Sequence, residues 1–399
     1  MDKHTDKRNG SQCTCSDPEL CVTAKQLKLV MSWSVNYSLS QLDSSAKEEA
    51  LVAEDFIGVH KVTVSMEHFR VSCGMPASFQ FKEYCPRVFA HLRREFGSSN
   101  VYSIDGRDGG GSCSEDFRAA WTVQLPAWDS DSRGHSSSRF LRSADGAFFA
   151  KTIERSEAGA LKRMLSSYWN HVTDCQTDTL LPQLMALYRI TMSGSKFYIL
   201  FMRSVFNSGH PLIRKYDLKG SRVARRATTA DTAGHAVPTL KDLDFIRAAD
   251  CLNVGPEVKS AIMERLRRDV AFLERHNIMD YSLLVGVHEW ADVSKEDRQT
   301  DCSDQLPSAE AQQFNRFLIK QHLPSNVAEP SPSSAGRPTR FYSIGMIDIL
   351  TDYGLVKRAA CACKRMRYPA TGGVDNAFST VPPGQYAKRF LSFADSCMQ

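Results

Sequence analysis

The chain has 399 residues, 42% of them apolar and 24% charged, with a net charge of only +5. Such a length buries a sizeable core and leaves room for two lobes with insertions, and the composition excludes wholesale disorder. No run of about 20 apolar residues is present, which excludes a spanning helix.

The opening MDKHTDKRNGSQCTCSDPELC lacks the apolar core of a secretory leader. Position 2 is Asp2, and Cys397 stands too near the end for a prenylation box, so neither myristoylation nor prenylation is expected. The twelve cysteines read as reduced cytosolic thiols. Cys13, Cys15 and Cys21 lack the paired C-x-x-C spacing of a zinc site.

In chain order, residues 1–20 are polar, and KQLKLVMSWSVNYSLSQL then carries helical apolar spacing. HKVTVSMEHFRVSC reads as a strand. Phe79 to Gly97 reads as one helix, with Pro86 in its first turn, Phe89, Leu92 and Phe96 at helical intervals, and Gly97 as its stop. Residues 101–116 and 129–138 are loop-forming. RFLRSADGAFFAKTI predicts two strands around an Ala-Asp-Gly turn, and a helix follows over roughly 157–172. YRITMSGSKFYILFMRSVF is a second hairpin, turning at Ser193 and Gly194. Residues 257–276 form an amphipathic helix with Ile262, Leu266, Val270 and Leu273 on one face. HNIMD ends it, and YSLLVGVH is a buried strand. A polar insertion covers about 291–340, with AEAQQFNRFLIKQHL as its one helical stretch; FYSIGMIDIL is then a strand, followed by a basic segment. This order suits an α+β protein of two lobes, with antiparallel sheets and flanking helices.

Phosphoryl transfer from ATP needs a phosphate cradle, a cation on the phosphates, metal-binding carboxylates and a group that orients the hydroxyl. Ser136, Ser137 and Ser138 lie in a turn before the first hairpin, with Lys151 at the end of its second strand. That pattern suits a phosphate-covering loop and equally a plain turn with a solvent-reaching lysine. Asp280 stands between a long helix and an apolar strand, placed either to orient a nucleophile or to cap a turn. Asp348 lies within the strand-like IGMIDIL, where an acid is costly unless paired or bound to metal. Mg²⁺, which takes few carboxylates plus phosphate oxygens, is the natural ion. LVKRAACACKRMRY carries Lys357, Arg358, Lys364, Arg365 and Arg367 without an acid. Drawn as a helix, Leu355, Ala359, Ala362 and Met366 align on one side, with Lys357 and Lys364 opposite. That pattern fits an anionic membrane interface or a solvated basic helix. At roughly 1 kcal/mol each, five cations supply up to about 5 kcal/mol at an anionic leaflet.

From about Phe79 to Phe393, interrupted by the insertion, the sequence resembles the phosphatidylinositol phosphate kinases. The resemblance rests on FQFKEYCPRVFAHLRREFG, TLLPQLMALYRIT, RKYDLKGSRVARRAT, PTLKDLDF, RRDVAFLERHNIMDYSLLVGVH, GMIDILTDYG and TVPPGQYAKRFLSF. It implies a two-lobed kinase-like fold: an extension over 1–75, partly disordered, an N-terminal lobe over 76–206, and a C-terminal lobe over 207–399. Within that fold, Lys151 resembles the ATP-phosphate lysine, Asp280 the catalytic-loop aspartate and Asp348 the metal-binding aspartate. Met202, Arg203, Ser204, Val205 and Phe206 resemble the hinge that holds the base, and Leu284 joins them in the nucleotide site. Lys219, Arg225 and Lys241 resemble groups lining the headgroup site. Residues 356–385 resemble the activation loop, in which Lys357, Ala360 and Lys364 face the lipid.

The chain departs from the family at three points. Gly134-His135-Ser136-Ser137-Ser138 stands where G-K-S-G-S is usual, Gly159 or Ala160 stands where a helix glutamate pairs with the lysine, and Ser204 replaces an asparagine. Glu157 is the nearest remaining partner for Lys151. In the activation loop, 5-kinases carry a glutamate where 4-kinases have alanine, and Ala360 follows the second pattern. The resemblance therefore implies ATP and Mg²⁺ as cofactors and a 5-phosphate 4-kinase making phosphatidylinositol 4,5-bisphosphate. The alternatives are a 4-phosphate 5-kinase, a catalytically weak phosphoinositide-binding protein, or a soluble kinase. Expected partners are the lipid, an anionic membrane surface and a second copy of the chain, with no nucleic acid. The expected location is the cytoplasm, with peripheral attachment to the cytosolic face of the plasma membrane.

Overall fold

The computed structural model describes residues 18–41, 49–65, 74–98, 113–122, 126–128, 138–206, 211–232, 236–289, 340–367 and 378–399. The chain opens with helix α1 (Pro18–Gln41), a short 3-10 turn at Ala53–Phe56, and strands β1 (Val59–Ser65) and β2 (Ser78–Tyr84). Helices α2 (Pro86–Ser98) and α3 (Cys113–Thr122) follow, then β3 (Ala127–Trp128), β4 (Phe140–Arg142) and β5 (Phe148–Ile153). Helix α4 (Arg155–Asp174) leads to the hairpin of β6 (Leu184–Met192) and β7 (Ser195–Arg203). Next come β8 (Leu212–Leu218), α5 (Thr229–Thr232), β9 (Thr239–Lys241), α6 (Asp242–Arg247), α7 (Pro256–Arg275) and β10 (Ser282–Glu289). The last elements are β11 (Arg340–Ile347), α8 (Leu355–Arg367) and α9 (Pro383–Ser396).

These strands form two sheets, one per lobe. The first has the order β1-β2-β6-β7-β5-β4-β3, and the second β11-β10-β8-β9. Pairing is antiparallel throughout except between β8 and β9. The α+β, two-lobed expectation therefore holds, and a single apolar core runs through both lobes.

One sequence expectation needs correction. Residues 79–84 are a strand, and the helix starts only at Pro86. FQFKEY alternates with a period of two, placing buried Phe79, Phe81 and Glu83 on one face. Cys85, at φ +49°, turns the chain out of the strand. The N-terminal extension is also built into the first lobe. Trp33 and Tyr37 of α1 pack edge-on against Phe79 and Phe81, the Ser38 hydroxyl donates to Glu83 at 2.7 Å, and β1 pairs along the whole of β2. The helix expected at AEAQQFNRFLIKQHL lies outside the described residues.

A buried polar contact ties the lobes at the back. Asp269 of α7 has no exposed surface; it bonds the His171 ring of α4 at 2.7 Å and accepts from the Thr179 hydroxyl at 2.9 Å and the Leu180 amide at 2.7 Å. Asp269→Ala orphans all three partners, and the expected loss is about 3 kcal/mol. Urea unfolding with an unchanged m-value reads it as a lowered midpoint. A midpoint equal to the parent's would mean that solvent replaces the carboxylate without cost.

Candidate active site

Pairing of β10 with β11 sets the geometry of the site. Ser282 lies opposite Ile347, so Asp280, two residues before β10, and Asp348, one residue after β11, emerge at the same end of the sheet. Met279 donates to the Thr351 carbonyl at 3.0 Å and Tyr353 to that of Asn277 at 2.9 Å, which continues the pairing beyond the strands. Asp348 is thus not inside a strand. It sits in the left-handed turn that ends one, at φ +61°, and Asp280 has φ +66°. Two non-glycine residues in that region are a local strain that the surrounding pairing must hold in place.

Each aspartate meets a lysine. Lys151 of β5 reaches across from the first lobe to Asp348 Oδ1 at 2.7 Å. Lys219, just after β8, donates to Asp280 Oδ1 at 3.0 Å and to the Asp280 carbonyl at 2.7 Å. Burial opposes the charge on Lys219, but Asp280, Asp217 and Asp348 outweigh it and raise its pKa. Glu157 is not the partner of Lys151, because its carboxylate caps α4 through the Glu154 amide at 2.7 Å.

Behind Lys219 lies a network that the sequence reading missed. Asp242 is fully buried, and its Oδ1 accepts from the amides of Lys219, Gly220 and Ser221 at 2.9, 2.7 and 3.2 Å. Its Oδ2 takes Arg225 Nε at 2.6 Å, and Arg225 Nη2 bonds Asp217 Oδ1 at 2.8 Å. Burial would raise the Asp217 pKa, but Arg225 and then Lys219 hold it below the ordinary value. Arg225 is therefore a buried strut between two carboxylates. Lys241 is held by Asp231 at 3.0 Å. Asp217 and Asp242 stand in RKYDLKGS and PTLKDLDF, among charged neighbours, with no apolar run to mark them.

The hinge expected over 202–206 joins β7 to the second lobe. Among the described residues, the amides of Arg203, Ser204 and Phe206 bond Gln183 O, Ala147 O and the Ser204 hydroxyl. The Val205 amide makes no such bond among the described residues. Val205 and Phe206 lie on glycines of the second sheet: a Cβ at Gly345 would stand 2.9 Å from Val205, and one at Gly286 2.8 Å from Phe206. Leu284, opposite Gly345 and Asp217, is half-buried on that same face. Ser136 and Ser137 lie outside the described residues, and Ser138 precedes β4.

Lys357, Ala360 and Lys364 are half-buried on the inner side of α8, and Lys364 donates to Thr380 at 2.8 Å. The outer side carries Leu355, Val356 and Met366, exposed by 81%, 82% and 76%.

A family model described as phosphatidylinositol-4-phosphate 5-kinase matches residues 126–397. The chain belongs to this phosphatidylinositol phosphate kinase family. It is 33% identical to the phosphatidylinositol 5-phosphate 4-kinase type-2 alpha of Sus scrofa, over 91% of this chain and 89% of that one. Against the type-2 beta enzyme of Homo sapiens it is 33% identical, covering 96% and 93%. Against the type-2 gamma enzyme of Xenopus tropicalis it is 34% identical, covering 91% and 86%.

One further feature of this family member escaped the sequence reading. Lys61, Lys82 and Arg189 stand directly opposite one another on β1, β2 and β6. The Tyr84 ring lies 5.0 Å from the Lys82 ammonium and 4.9 Å from that of Lys162. Burial, then Arg189, Lys162 and Lys61, lowers the Lys82 pKa, and every charged group acting on it is a cation. Like charges directly across strands are destabilising unless an anion meets them. Such a row depends on register, which no single segment records.

Asp348→Asn removes a charge that holds Lys151 and faces the cleft. Turnover is expected to fall at least about 10²-fold with the unfolding midpoint unchanged. A folded variant with parental turnover would remove Asp348 from the chemistry.

Proposed function

We propose that the protein is an ATP-dependent phosphatidylinositol phosphate kinase that acts on phosphatidylinositol 5-phosphate at the 4-position. The observation that carries this reading is the meeting of Lys151, Asp348, Lys219 and Asp280 at one end of the second sheet, with residues from both lobes. Relatives named as 5-phosphate 4-kinases over most of the chain support the choice of lipid, as does Ala360.

In this mechanism Val205 and Leu284 hold the base, and Lys151 neutralises the phosphates of ATP. Asp280 accepts the proton of the inositol hydroxyl as its oxygen attacks the γ-phosphorus, and ADP leaves. Lys219, kept cationic by three aspartates, balances charge on the transferred group. Among the described residues no three His, Cys, Asp or Glu side chains form a ready-made cage. The donor set instead fits Mg²⁺, which takes one or two carboxylates plus phosphate oxygens, and Asp348 would hold it. A bound Mg²⁺ would supply charge neutralisation at the phosphates.

The protein reaches its substrate at an anionic membrane, on the cytosolic face. Support comes from the outward Leu355, Val356 and Met366 on α8 and from the Lys61-Lys82-Arg189 row. No described helix is long and apolar enough to cross a bilayer. The outer edge of β1, where no other described strand pairs, has exposed Val59 and nearby Ile57 and offers a surface for a second copy of the chain.

Leu355→Asp with Val356→Asp is expected to cut sedimentation with anionic liposomes at least about tenfold, leaving ATP affinity intact. Lys61→Ala with Lys82→Ala has the same direction, and raised salt mimics it, because exposed charges are screened. Liposome binding that survives both pairs and shows no salt dependence would overturn this surface.

Lipid choice is tested with labelled ATP, liposomes of each monophosphorylated lipid and identification of the product isomer. The parent is expected to favour the 5-phosphate. Ala360→Glu adds one hydrogen bond or ion pair to a basic neighbour, roughly 1.5–3 kcal/mol, and so moves preference about 10- to 100-fold towards the 4-phosphate. A parent preferring the 4-phosphate by roughly tenfold would make it a 5-kinase and leave the family assignment standing.

A further inference from the structure

Helix α9 is amphipathic, and its inward face carries Tyr386, Ala387, Phe390 and Ala394. Arg389 shares that face and is only 8% exposed. A guanidinium is a costly way to fill a core position, since a Leu or Met of similar reach needs no desolvation. The buried charge must therefore do something that an apolar side chain would not.

Its contacts say what. Nη2 donates to the Ser221 hydroxyl at 3.0 Å and Nη1 to the Phe378 carbonyl at 3.0 Å. The cation lies 5.2 Å from the Tyr386 ring centroid, and Asp242 and Asp280 are the carboxylates whose charge acts on it. One turn earlier, Tyr386 donates its hydroxyl to the carbonyl of Tyr281, the residue after Asp280. Gly220, at φ +67°, presses on the same helix, where a Cβ would stand 3.0 Å from Phe393 Cβ and 3.2 Å from the Arg389 carbonyl. Helix α9 thus holds the residue next to Asp280, the turn that carries Lys219, and Phe378, which lies beyond α8.

We infer that Arg389 is a positioning residue for phosphoryl transfer, whose buried fork fixes the Lys219-Gly220-Ser221 turn and the Phe378 end of the activation segment relative to Asp280. A single flexible ammonium cannot reproduce two divergent hydrogen bonds, so Arg389→Lys is not a conservative change here. The role rests on the kinase reading and adds to it. Asp280 and Lys219 supply the chemistry, while Arg389 decides whether they face the hydroxyl together.

The test compares Ser221→Ala, Arg389→Lys and the double variant with the parent. The assays are lipid phosphorylation, ATP affinity by titration and the urea midpoint. Ser221→Ala deletes one oxygen and serves as the variant that folds even where Arg389→Lys does not. The expected result is a fall in kcat of about tenfold for each single variant, with ATP affinity unchanged and little change in lipid KM. The double variant should be no worse than Arg389→Lys alone, because Arg389→Lys already breaks the contact that Ser221→Ala removes. Ser221→Ala with kcat within about twofold of the parent would overturn the inference, as would strictly additive losses. Loss of kcat that follows the urea midpoint across the series would make Arg389 a stability residue and overturn it too. A parent inactive on every phosphoinositide would instead sink the kinase reading, an outcome distinct from these.

Discussion

A carboxylate with no exposed surface, Asp242, organises the second lobe. A buried charge persists only when hydrogen bonds or opposite charges compensate it. Asp242 meets that demand with three consecutive backbone amides and one guanidinium. The amides belong to the turn that carries Lys219, so satisfying the carboxylate also fixes where that lysine begins. The guanidinium, Arg225, is shared with Asp217, which faces the cleft side of β8 and acts on Lys219. The chain of alternating charges, Asp242, Arg225, Asp217, Lys219 and Asp280, therefore runs from the interior to the reacting end of the sheet. Deleting any link leaves its neighbours with uncompensated charge, which keeps the constellation in one arrangement.

The two lobes meet through contacts of different character. At the back, Asp269 and His171 form a dry, buried contact. At the hinge, Val205 and Phe206 lie where Gly345 and Gly286 leave room for them. At the front, Lys151 and Asp348 are partly exposed, and Arg163 of α4 reaches Asp352 at 3.5 Å with both side chains in solvent. Exposed pairs contribute little to stability. The back and hinge therefore hold the lobes together, while the front pairs can exchange partners with a nucleotide at small cost.

Much of this was legible from sequence, for reasons that differ by residue. The hairpin at Ser193 and Gly194, the helix from Pro256 and the buried strand after Asp280 carried their own local signals of turn chemistry and periodicity. Asp280 and Asp348 stand out beside apolar runs, where a charge needs a reason, whereas Lys151 takes its expected role from the family resemblance alone. The strand at 79–84 was absorbed into a helix because its aromatic residues also fit a helical spacing; the choice depends on pairing with β1 and β6, which is non-local. Glu157 was read as a partner for Lys151 because spacing places it near, yet the cap of its own helix claims it first. The Lys61-Lys82-Arg189 row and the Arg389 brace join residues that lie far apart in the chain, and only folding assembles them.

The placement of α8 bears on the two readings that its sequence left open. A helix that docks by its apolar side would turn Leu355, Val356 and Met366 inward and its lysines out. The structure has the reverse: Cys361 is buried, Lys364 is tied to Thr380, and the large apolar residues face solvent. Exposing several such side chains together disfavours the isolated protein and is recovered only where another apolar phase covers them. This orientation supports the proposed interfacial reading of α8 over a solvated basic helix. Helix α8 begins seven residues after Asp348, and Phe378 is held by Arg389. Under the proposed function, contact with a lipid surface and alignment of Lys219 with Asp280 would both depend on where this segment is held.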